Sequence, residues 1–433
     1  MKIELNNQNY IKYVIKEDII IDEIKYEDDN NLFKLIDKLV ASSYLYSDKS
    51  IIYQGDIDLS KYHFIKNNDK YILDLNKTRI RRFIKIGNGK TGKKNNICDV
   101  DGIKVGHQSI IDKDNKIYSG LTVISPHDGN IFKEKVVASS YVFNGFGKSI
   151  GLVQVDELGT IETKIAFTST MCVNRVAEGI IKEALLNNDD IGTSAGTVNP
   201  LVMECNDGTL NDSRKRLINE DDYYKAVNNL SDDFIQGDVG AGCGMVCHGF
   251  KGGIGSSSRE ILIDGNIYHL GIICNSNFGS SNGRDLIFKG RSLGDKIKEF
   301  DNIYEDKGSI VCVLATDLPL NERQLKRLLK RIEIGIGRTG SYAGNGSGDV
   351  FVGFSTANKR LHYNDNAIND CKYFNDDHIN KIFQNVVDMT EEAVLNSLLF
   401  SHHVDGFKKN CKSLQEYNHL FNDLFDEVIE YEI

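Results

Sequence analysis

The sequence lacks three features that would place it in common classes of protein. Of its 433 residues, 52 are Lys or Arg and 62 are Asp or Glu, so the formal charge is −10. Nucleic-acid and anionic-membrane binders are instead typically rich in positive charge. No stretch approaches the roughly 18 consecutive apolar residues that a membrane-spanning helix needs. Residues 1–7 are polar where a secretory signal would need a basic segment and an apolar core. We therefore expect a cytoplasmic protein with no nucleic-acid and no membrane partner.

The cysteine pattern indicates neither a disulfide framework nor a metal site. Nine cysteines are scattered along the chain, and an odd, dispersed set is typical of reduced thiols. The one tight group is Cys243, Cys247 and His248, but a zinc site would need a second pair of ligands at a comparable spacing. We expect these to be buried small side chains, and we expect no metal and no organic cofactor.

The distribution of glycine divides the chain into two parts. Residues 1–78 contain a single glycine, Gly55, and are rich in Ile, Tyr, Lys, Asp and Asn. From Gly87 onward, glycines are frequent and cluster in short loops. We predict a mixed α/β N-terminal extension of unknown role over residues 1–78, followed by one compact catalytic unit over residues 79–433.

Periodicity predicts three long helices and several buried strands. Apolar residues recur at helical spacing in each helix, and Asn321 with Gln324 has the pattern of a capping box. Continuous apolar strands indicate sheets that are covered on both faces, and hence a layered α/β or α+β architecture. The predicted helices are 170–186, 321–332 and 378–400, and the predicted strands are 121–124, 149–154, 267–274 and 310–314.

The junction between Gly308 and Ser309 is the candidate catalytic segment. A charged segment ends at Gly308, and a buried strand begins at Ser309. Glycine tolerates a strained peptide bond, and a serine hydroxyl after such a bond can attack the preceding carbonyl to give an ester that hydrolyses. The new α-amine of Ser309 would titrate near 7.7–8.0 in a model compound, so it could act as the base for its own hydroxyl. Taken alone, however, Gly-Ser before an apolar strand is an ordinary turn.

Other glycine-rich segments supply candidate partners for this serine. Residues 344–349 offer a hydroxyl and a carboxylate two positions apart, and residues 206–208 and 277–279 add side-chain amides in turns. Residues 250–259 place three glycines and a serine run where a backbone-lined site is expected between strands. Each segment is also typical of a structural turn.

The order of these segments resembles that of a known family. The chain is similar to the DmpA-type L-aminopeptidase/D-esterases, which include the β-peptidyl aminopeptidases. The similarity covers about residues 79–433. The matching stretches are Asp99–His107, Asn144–Gly147, Glu157–Thr163, Asn206–Gly208, Leu210–Asp212, Gly240–Met245, Phe250–Gly255, Gly308–Ser309, Ala315–Asp317, Gln324–Arg327, Arg338–Gly340 and Asn345–Asp349.

The resemblance implies a role for each catalytic position. Ser309 resembles the nucleophile that self-cleavage after Gly308 exposes. Ser347 resembles the hydroxyl that hydrogen-bonds the nucleophilic centre, and Asp349 the acidic group two residues further on, where some relatives carry Glu. Asn277 resembles the amide that donates to the oxyanion.

Two further positions concern the substrate. Family members often have an aromatic residue, usually Tyr, where this chain has Thr209, which puts activity or substrate range in question. Glu204 is a candidate for holding a substrate ammonium by charge complementarity. A surface or structural carboxylate is an equally good interpretation of Glu204.

The resemblance also implies an architecture and an activity. We expect an α+β fold of the αββα-sandwich type, cut into a large subunit (79–308) and a small subunit (309–433). The implied activity is that of a serine aminopeptidase that hydrolyses the amide or ester bond after an N-terminal residue of short peptides, amino-acid amides or esters, D- or β-residues included. Family analogy implies a homo-oligomer of processed heterodimers, a tetramer.

Two alternative functions remain open at this point. Acyl transfer to an amine, as in the self-processing ornithine acetyltransferases, uses Thr as nucleophile, and Ser309 weighs against it. A catalytically weak scaffold for binding or assembly stays open because of Thr209 and the N-terminal extension.

The sequence supports neither a nucleotide-binding loop nor the nucleophile elbow of a Ser-His-Asp hydrolase. Residues 87–94 nearly match a phosphate-binding loop, but Lys94 stands where Ser or Thr must reach magnesium. No Gly-x-Ser-x-Gly elbow is present, and residues 353–357, the nearest approach to one, are predicted to run in a buried strand.

Overall fold

The computed structural model describes residues 86–280, 283–297 and 308–420, together with the backbone of six strands among residues 2–74. The chain divides into two compact units. One comprises Met1–Phe83 with Gln415–Ile433, and the other comprises Ile84–Leu414.

The smaller unit contains a six-stranded sheet. Its strand order is β3-β2-β1-β4-β6-β5, and every pair is antiparallel except β1 with β4. The strands are β1 (Lys2–Asn6), β2 (Tyr10–Ile15), β3 (Ile19–Lys25), β4 (Ser50–Tyr53), β5 (Phe64–Asn67) and β6 (Lys70–Asp74). Helices predicted for this segment lie outside the described residues.

The larger unit is built on two sheets. The four-stranded sheet has the order β12-β11-β8-β7, and the six-stranded sheet has the order β10-β9-β20-β19-β16-β15. Each sheet contains one parallel pair, β11 with β12 and β19 with β20 respectively, and its other pairs are antiparallel. The strands are β7 (Lys104–Asp112), β8 (Ile117–Ser125), β9 (Glu134–Gly145), β10 (Thr160–Ile161), β11 (Ile165–Ser169), β12 (Leu201–Cys205), β15 (Gly253–Ile263), β16 (Asn266–Asn277), β19 (Ser309–Thr316) and β20 (Gly348–Leu361).

The described part of this unit also contains three two-stranded hairpins. Of these, the pair β13–β14 matters for the site described below. The six strands are β13 (Val246–Cys247), β14 (Phe250–Lys251), β17 (Ile287–Phe288), β18 (Arg291–Ser292), β21 (Val404–Asp405) and β22 (Asn410–Cys411).

Five α-helices occur in the described part of the chain, and four of them cover the two sheets. Helices α2 and α3 pack against the four-stranded sheet, and α4 and α5 pack against the six-stranded sheet. The helices are α1 (Leu152–Leu158), α2 (Val173–Asn187), α3 (Glu220–Asn228), α4 (Glu322–Arg338) and α5 (Asn380–Leu399).

The main hydrophobic core lies between the two sheets. Fully buried side chains from both contribute to one cluster, among them Phe167 and Met203 from one sheet and Val313 and Phe354 from the other. Because the apolar faces of the two sheets meet and each outer face is covered by helices, the architecture is the αββα sandwich that the family resemblance implies.

All three predicted helices are confirmed. Helix α4 begins with the predicted capping box, in which the Gln324 backbone N–H donates to Asn321 Oδ1 at 2.9 Å and the Gln324 side chain accepts from the Asn321 N–H at 3.1 Å. Its apolar face, which includes Leu325 and Ile332, is buried, as the helical stripe predicts.

Three of the four predicted strands are confirmed, and residues 149–154 are a correction. Only Ile150 forms a bridge, to Val202, and the chain then turns into helix α1. Within this helix Val155 is buried whereas Val153 is 88% exposed, so the apolar run has a helical rather than an alternating arrangement. A short apolar run does not distinguish the two kinds of element.

Residues 250–259 are a second correction, because they lie in strands rather than in a loop between strands. The serine hydroxyls of this run are structural. Ser256 Oγ donates to the Ile272 carbonyl at 2.6 Å, Ser257 Oγ to the Met389 carbonyl at 2.8 Å, and Ser258 Oγ to Asp99 at 2.5 Å.

Candidate active site

The candidate site forms where strand β19 begins, in the middle of the six-stranded sheet. Strand β19 is antiparallel to β16, which places Asn277 opposite Ser309. It is parallel to β20, which places Gly348 opposite Ser309 and Asp349 opposite Ile310. Strand pairing therefore gathers three of the predicted groups at one end of the sheet, although they are far apart in sequence.

Gly308 occupies a position that only glycine can adopt without strain. Its φ is +138°, and a Cβ atom there would lie 1.9 Å from the backbone oxygen of Asn277. The Gly308 carbonyl oxygen accepts a hydrogen bond of 3.1 Å from the backbone N–H of Gly348. The carbonyl of the Gly308–Ser309 bond is thus fixed and polarised by the neighbouring strand.

The Ser309 side chain is buried and lies beside a thiol. Its exposed fraction is 6%, and no nitrogen or oxygen atom of the described residues hydrogen-bonds Ser309 Oγ. The neighbouring group is Cys205. Burial holds the pKa of that thiol well above its usual range, an effect that the Ser309 hydroxyl opposes and the charges of Glu204 and Asp349 reinforce. Cys205 is therefore a neutral thiol beside the hydroxyl, not a competing thiolate.

Ser347 and Asp349 form a buried pair next to this serine. Ser347 Oγ donates to Asp349 Oδ1 at 2.6 Å, and each residue is 1% exposed. The Ser347 N–H donates to the Gly344 carbonyl at 2.8 Å, which fixes the turn that precedes β20. Because the Ser347 hydroxyl donates its hydrogen bond to the carboxylate, the lone pairs of its oxygen can accept a hydrogen bond from a second donor.

The side-chain amide of Asn277 is held in one orientation by two hydrogen bonds. Its Oδ1 accepts from the Val246 backbone N–H at 2.9 Å, and its Nδ2 donates to the Asn206 carbonyl at 3.1 Å. An amide nitrogen carries two hydrogens, so one N–H of Asn277 remains for a further acceptor. The residue is 6% exposed.

Glu204 is the next-to-last residue of strand β12 and is buried, with both carboxylate oxygens hydrogen-bonded. Its Oε1 accepts from the Lys148 backbone N–H at 2.8 Å, and its Oε2 accepts from the Thr170 hydroxyl. The segment before Lys148 passes directly over β20, since a Cβ on Gly348 would lie 2.5 Å from the Phe146 oxygen. The same loop thus contacts Glu204 and the neighbour of Ser309.

Thr209 lies in the turn that follows Asn206. Its carbonyl accepts from the Lys408 N–H at 3.0 Å, and its side chain is partly buried. Asn206 shapes this turn, because its Oδ1 accepts from the Gly208 N–H at 2.9 Å.

Asp207, in the same turn, is a buried carboxylate that accepts hydrogen bonds from three side chains. Its oxygens accept from Ser119 Oγ at 2.6 Å, Ser169 Oγ at 2.9 Å and Asn211 Nδ2 at 3.0 Å. Burial raises the pKa of Asp207 to about 6, although these three donors oppose the shift.

Four contributors to the site carry no signal in the sequence. They are the N–H of Gly348, the N–H of Val246, the carbonyl of Asn206 and the thiol of Cys205. Each acts through the backbone or through packing between strands, so its role depends on a register that residue types do not encode.

The Cys243–His248 group and the phosphate-loop-like segment 87–94 both have structural surroundings. Cys243 and His248 are buried; burial raises the pKa of Cys243 to about 12 and lowers that of His248 to about 4. Across the described ranges, no three His, Cys, Asp or Glu side chains are grouped to hold a metal. In the phosphate-loop-like segment, the Lys94 N–H donates to Asp99 Oδ1 at 2.8 Å, so a carboxylate of the chain itself accepts from this loop.

None of the helices in the described ranges has the length and apolar character to cross a membrane.

The chain matches a family of peptidases over most of its length. Residues 95–412 match the model of peptidase family S58. Among characterised proteins, the β-peptidyl aminopeptidase BapA of Sphingosinicella microcystinivorans is 32% identical over 340 residues, which cover 73% of this chain and 84% of that protein.

Two solved structures have the same architecture. The PH0078 protein from Pyrococcus horikoshii OT3 is 42% identical with a TM-score of 0.74, and the match covers 79% of this chain and 98% of that one. The L-aminopeptidase D-Ala-esterase/amidase from Ochrobactrum anthropi is 31% identical with a TM-score of 0.72, and the match covers 79% and 96%. The latter is described as a prototype for the serine aminopeptidases and a new variant of the Ntn hydrolase fold.

Proposed function

This chain belongs to peptidase family S58, and we propose that it is a serine aminopeptidase that activates itself by cleaving the Gly308–Ser309 bond. The observation that carries the proposal is the geometry at this bond. The Gly308 carbonyl is held by the Gly348 N–H, and the next side chain along the strand is the buried hydroxyl of Ser309. The bond that is broken and the group that attacks it are thereby fixed on one central strand.

Self-cleavage proceeds in two steps. Ser309 Oγ attacks the Gly308 carbonyl carbon, and its proton passes to the Ser309 nitrogen as the C–N bond breaks, so that the acyl group moves to oxygen and the nitrogen becomes an amine. Water then hydrolyses the ester, leaving a carboxylate on Gly308 and a free hydroxyl and amine on Ser309. The products are the chain that ends at Gly308 and a chain of 125 residues, 309–433.

Peptide hydrolysis reuses the same groups. The α-amine of Ser309 accepts the hydroxyl proton as Oγ attacks the substrate carbonyl, and it donates this proton to the leaving amine. Water then hydrolyses the ester on Oγ, which releases the acyl group as a carboxylate and restores the hydroxyl. The free Asn277 N–H stabilises the oxyanion. The Ser347–Asp349 pair orients the new amine, since the Ser347 oxygen can accept from it.

The relatives suggest which substrates fit the site. One characterised relative is a β-peptidyl aminopeptidase, and one solved neighbour is an L-aminopeptidase D-Ala-esterase/amidase. We propose short peptides, amides or esters that carry a free N-terminal amine, with Glu204 as the carboxylate that binds this ammonium. Its carboxylate is buried and acts electrostatically on Cys205, the thiol beside Ser309, which supports that role. We further propose an oligomer of processed heterodimers, a tetramer, which size-exclusion chromatography with light scattering would test.

Intact mass spectrometry tests the central proposal. Purified wild-type protein should give two chains that divide between residues 308 and 309, and the Ser309→Ala variant should remain one chain of 433 residues. A wild-type protein that stays uncut under native conditions contradicts self-cleavage. Processed protein that releases no N-terminal residue from short peptides, amides or esters contradicts the aminopeptidase activity.

A further inference from the structure

A lysine side chain is completely buried beneath the candidate oxyanion site. Lys251 has an exposed fraction of 0%, and its Nζ donates to the carbonyl of Gly242 at 2.8 Å and to that of Gly252 at 2.6 Å. These carbonyls mark the two ends of the segment 242–252. The ammonium therefore joins both ends of this segment.

The joined segment contains the donor that orients Asn277. In the hairpin formed by β13 and β14, Lys251 is the direct partner of Val246. The Val246 N–H points away from the hairpin to Asn277 Oδ1, at 2.9 Å. Two further bonds tighten the same segment, from the Met245 N–H to the Gly242 carbonyl at 3.2 Å and from the Gly252 N–H to the Met245 carbonyl at 3.0 Å.

We propose that Lys251 is a positioning residue for the oxyanion: by fixing the carbonyls of Gly242 and Gly252, it holds the Val246 N–H that orients the Asn277 amide. The inference rests on the oxyanion role assigned to Asn277 under the proposed function. The Nζ hydrogen bonds of Lys251 go to these two backbone carbonyls and not to Ser309. The effect of Lys251 on the reaction is transmitted through Val246 and Asn277.

The burial of a cation at this place needs a reason beyond stability. Removing an ammonium from water is unfavourable, and an apolar side chain of similar volume is often as stable. Burial lowers the pKa of Lys251, while the carboxylate of Asp238 opposes the shift. An apolar side chain would fill the same space but could not hold two carbonyl oxygens at fixed positions, which an ammonium with three donors does.

A double-mutant cycle on the processed enzyme tests the proposal. Lys251→Met, Asn277→Ala and the double variant are compared with wild type, with kcat normalised to the processed subunit. Asn277→Ala should lower kcat about 100- to 1,000-fold with little change in KM. Lys251→Met should lower kcat about 10- to 100-fold in the wild-type background, because small misplacements of a catalytic group have effects of this size, and it should have no further effect on kcat in the Asn277→Ala background.

Arg259 provides a matched control. It is also a fully buried cation, it donates to the carbonyls of Ile86 and Ser258, and it pairs with Glu392 at 2.6 Å. None of these bonds leads to Asn277. Arg259→Met should lower the melting temperature, as Lys251→Met does, but should leave kcat of the folded enzyme near the wild-type value.

The outcomes separate this inference from the function on which it rests. If Asn277→Ala leaves kcat unchanged, the oxyanion assignment fails. If Asn277→Ala lowers kcat but the Lys251→Met effect is the same in both backgrounds, the positioning role of Lys251 is overturned. Where Lys251→Met does not fold, Lys251→Gln replaces it in the cycle, and failure of both to fold assigns Lys251 to folding and overturns the proposal.

Discussion

The backbone N–H of Gly348 donates to the carbonyl oxygen of Gly308 at 3.1 Å, which ties the proposed cleavage bond to the strand that carries Asp349. Two parallel strands thereby align an electrophile with the acidic group next to it in the sheet. The pairing is a regular ladder contact, so it forms as soon as the sheet does. We infer that folding of the sheet alone assembles the self-cleavage site.

Replacing Gly308 should block self-cleavage. In Gly308→Ala, the new methyl group would lie 1.9 Å from the Asn277 oxygen at a φ of +138°, so the bond must move away from Ser309 Oγ. We expect the cleavage rate to fall by about 100-fold or more, since a displacement of about 1 Å has effects of this size. The time course of cleavage, followed by mass spectrometry, measures it. Gly346→Ala is the control, because a Cβ there would have no atom within 4 Å; equal rates in both variants would contradict the prediction.

Ser347 and Asp349 should act as one unit. Ser347→Ala and Asp349→Ala each remove the 2.6 Å bond between them, and each should lower kcat about 100-fold, at the lower end of acid–base effects. The double variant should be no slower than the slower single variant, because both changes remove the same interaction. Steady-state kinetics on processed enzyme provides the measurement. Ser355→Ala, which removes a buried hydroxyl further along β20, should leave kcat unchanged; additive losses for Ser347 and Asp349 would show that they act separately.

Glu204→Gln should discriminate between substrates with and without an ammonium group. The loss of a charge-assisted contact is worth about 1.5–3 kcal/mol, so KM for a free-amine substrate should rise about 10- to 100-fold. KM for the matching des-amino ester should stay the same. The two substrates serve as each other's control on one enzyme preparation. A structural role for the carboxylate, through Lys148 and Thr170, would instead affect both substrates equally.

Asp207 should make the fold less stable as pH rises from about 4 to about 6. Burial raises its pKa to about 6 in the folded protein, against about 3.9 in an unfolded chain. The folded state therefore binds this proton more tightly, and its contribution is complete below about pH 4 and lost as pH rises through about 6. The difference of about 2 units corresponds to about 3 kcal/mol.

The uncut Ser309→Ala chain is a suitable background for this measurement, because it unfolds as a single polypeptide. Calorimetry from pH 4 to 7 should show that adding Asp207→Asn removes part of the fall in melting temperature. Asp377→Asn, at an exposed position, should leave the pH dependence unchanged. A parallel pH dependence for Asp207→Asn and its parent would contradict the assignment.

Much of the fold was predictable because its signals are local. The capping box at Asn321 and the buried stripe of α4 depend on residues three and four positions apart, which sequence spacing encodes directly. The apolar strand after Ser309 was predictable for the same reason. The segment 149–154 was not, since only its packing against the sheet decides between a short helix and a strand.

The candidate site was predictable only in part. The family resemblance pointed to Ser309, Asn277, Ser347 and Asp349. In the structure Ser309, Asn277 and Asp349 lie at one end of β19 and its neighbours, and Ser347 is hydrogen-bonded to Asp349. The groups that hold them are mainly backbone atoms, such as the Val246 N–H and the Gly348 N–H. Every residue but proline carries the same backbone donor, so no sequence pattern could have singled these out.

The position of β19 and β20 within the sheet has a consequence for the cut molecule. Both strands belong to the segment after residue 308, yet they lie between β9 and β16, which belong to the segment before it. The two polypeptides would therefore be interleaved, each supplying hydrogen bonds to the other in two of the five strand pairs, β9 with β20 and β19 with β16. We expect that neither half can dissociate while the other remains folded, so that the nicked protein denatures in one cooperative event.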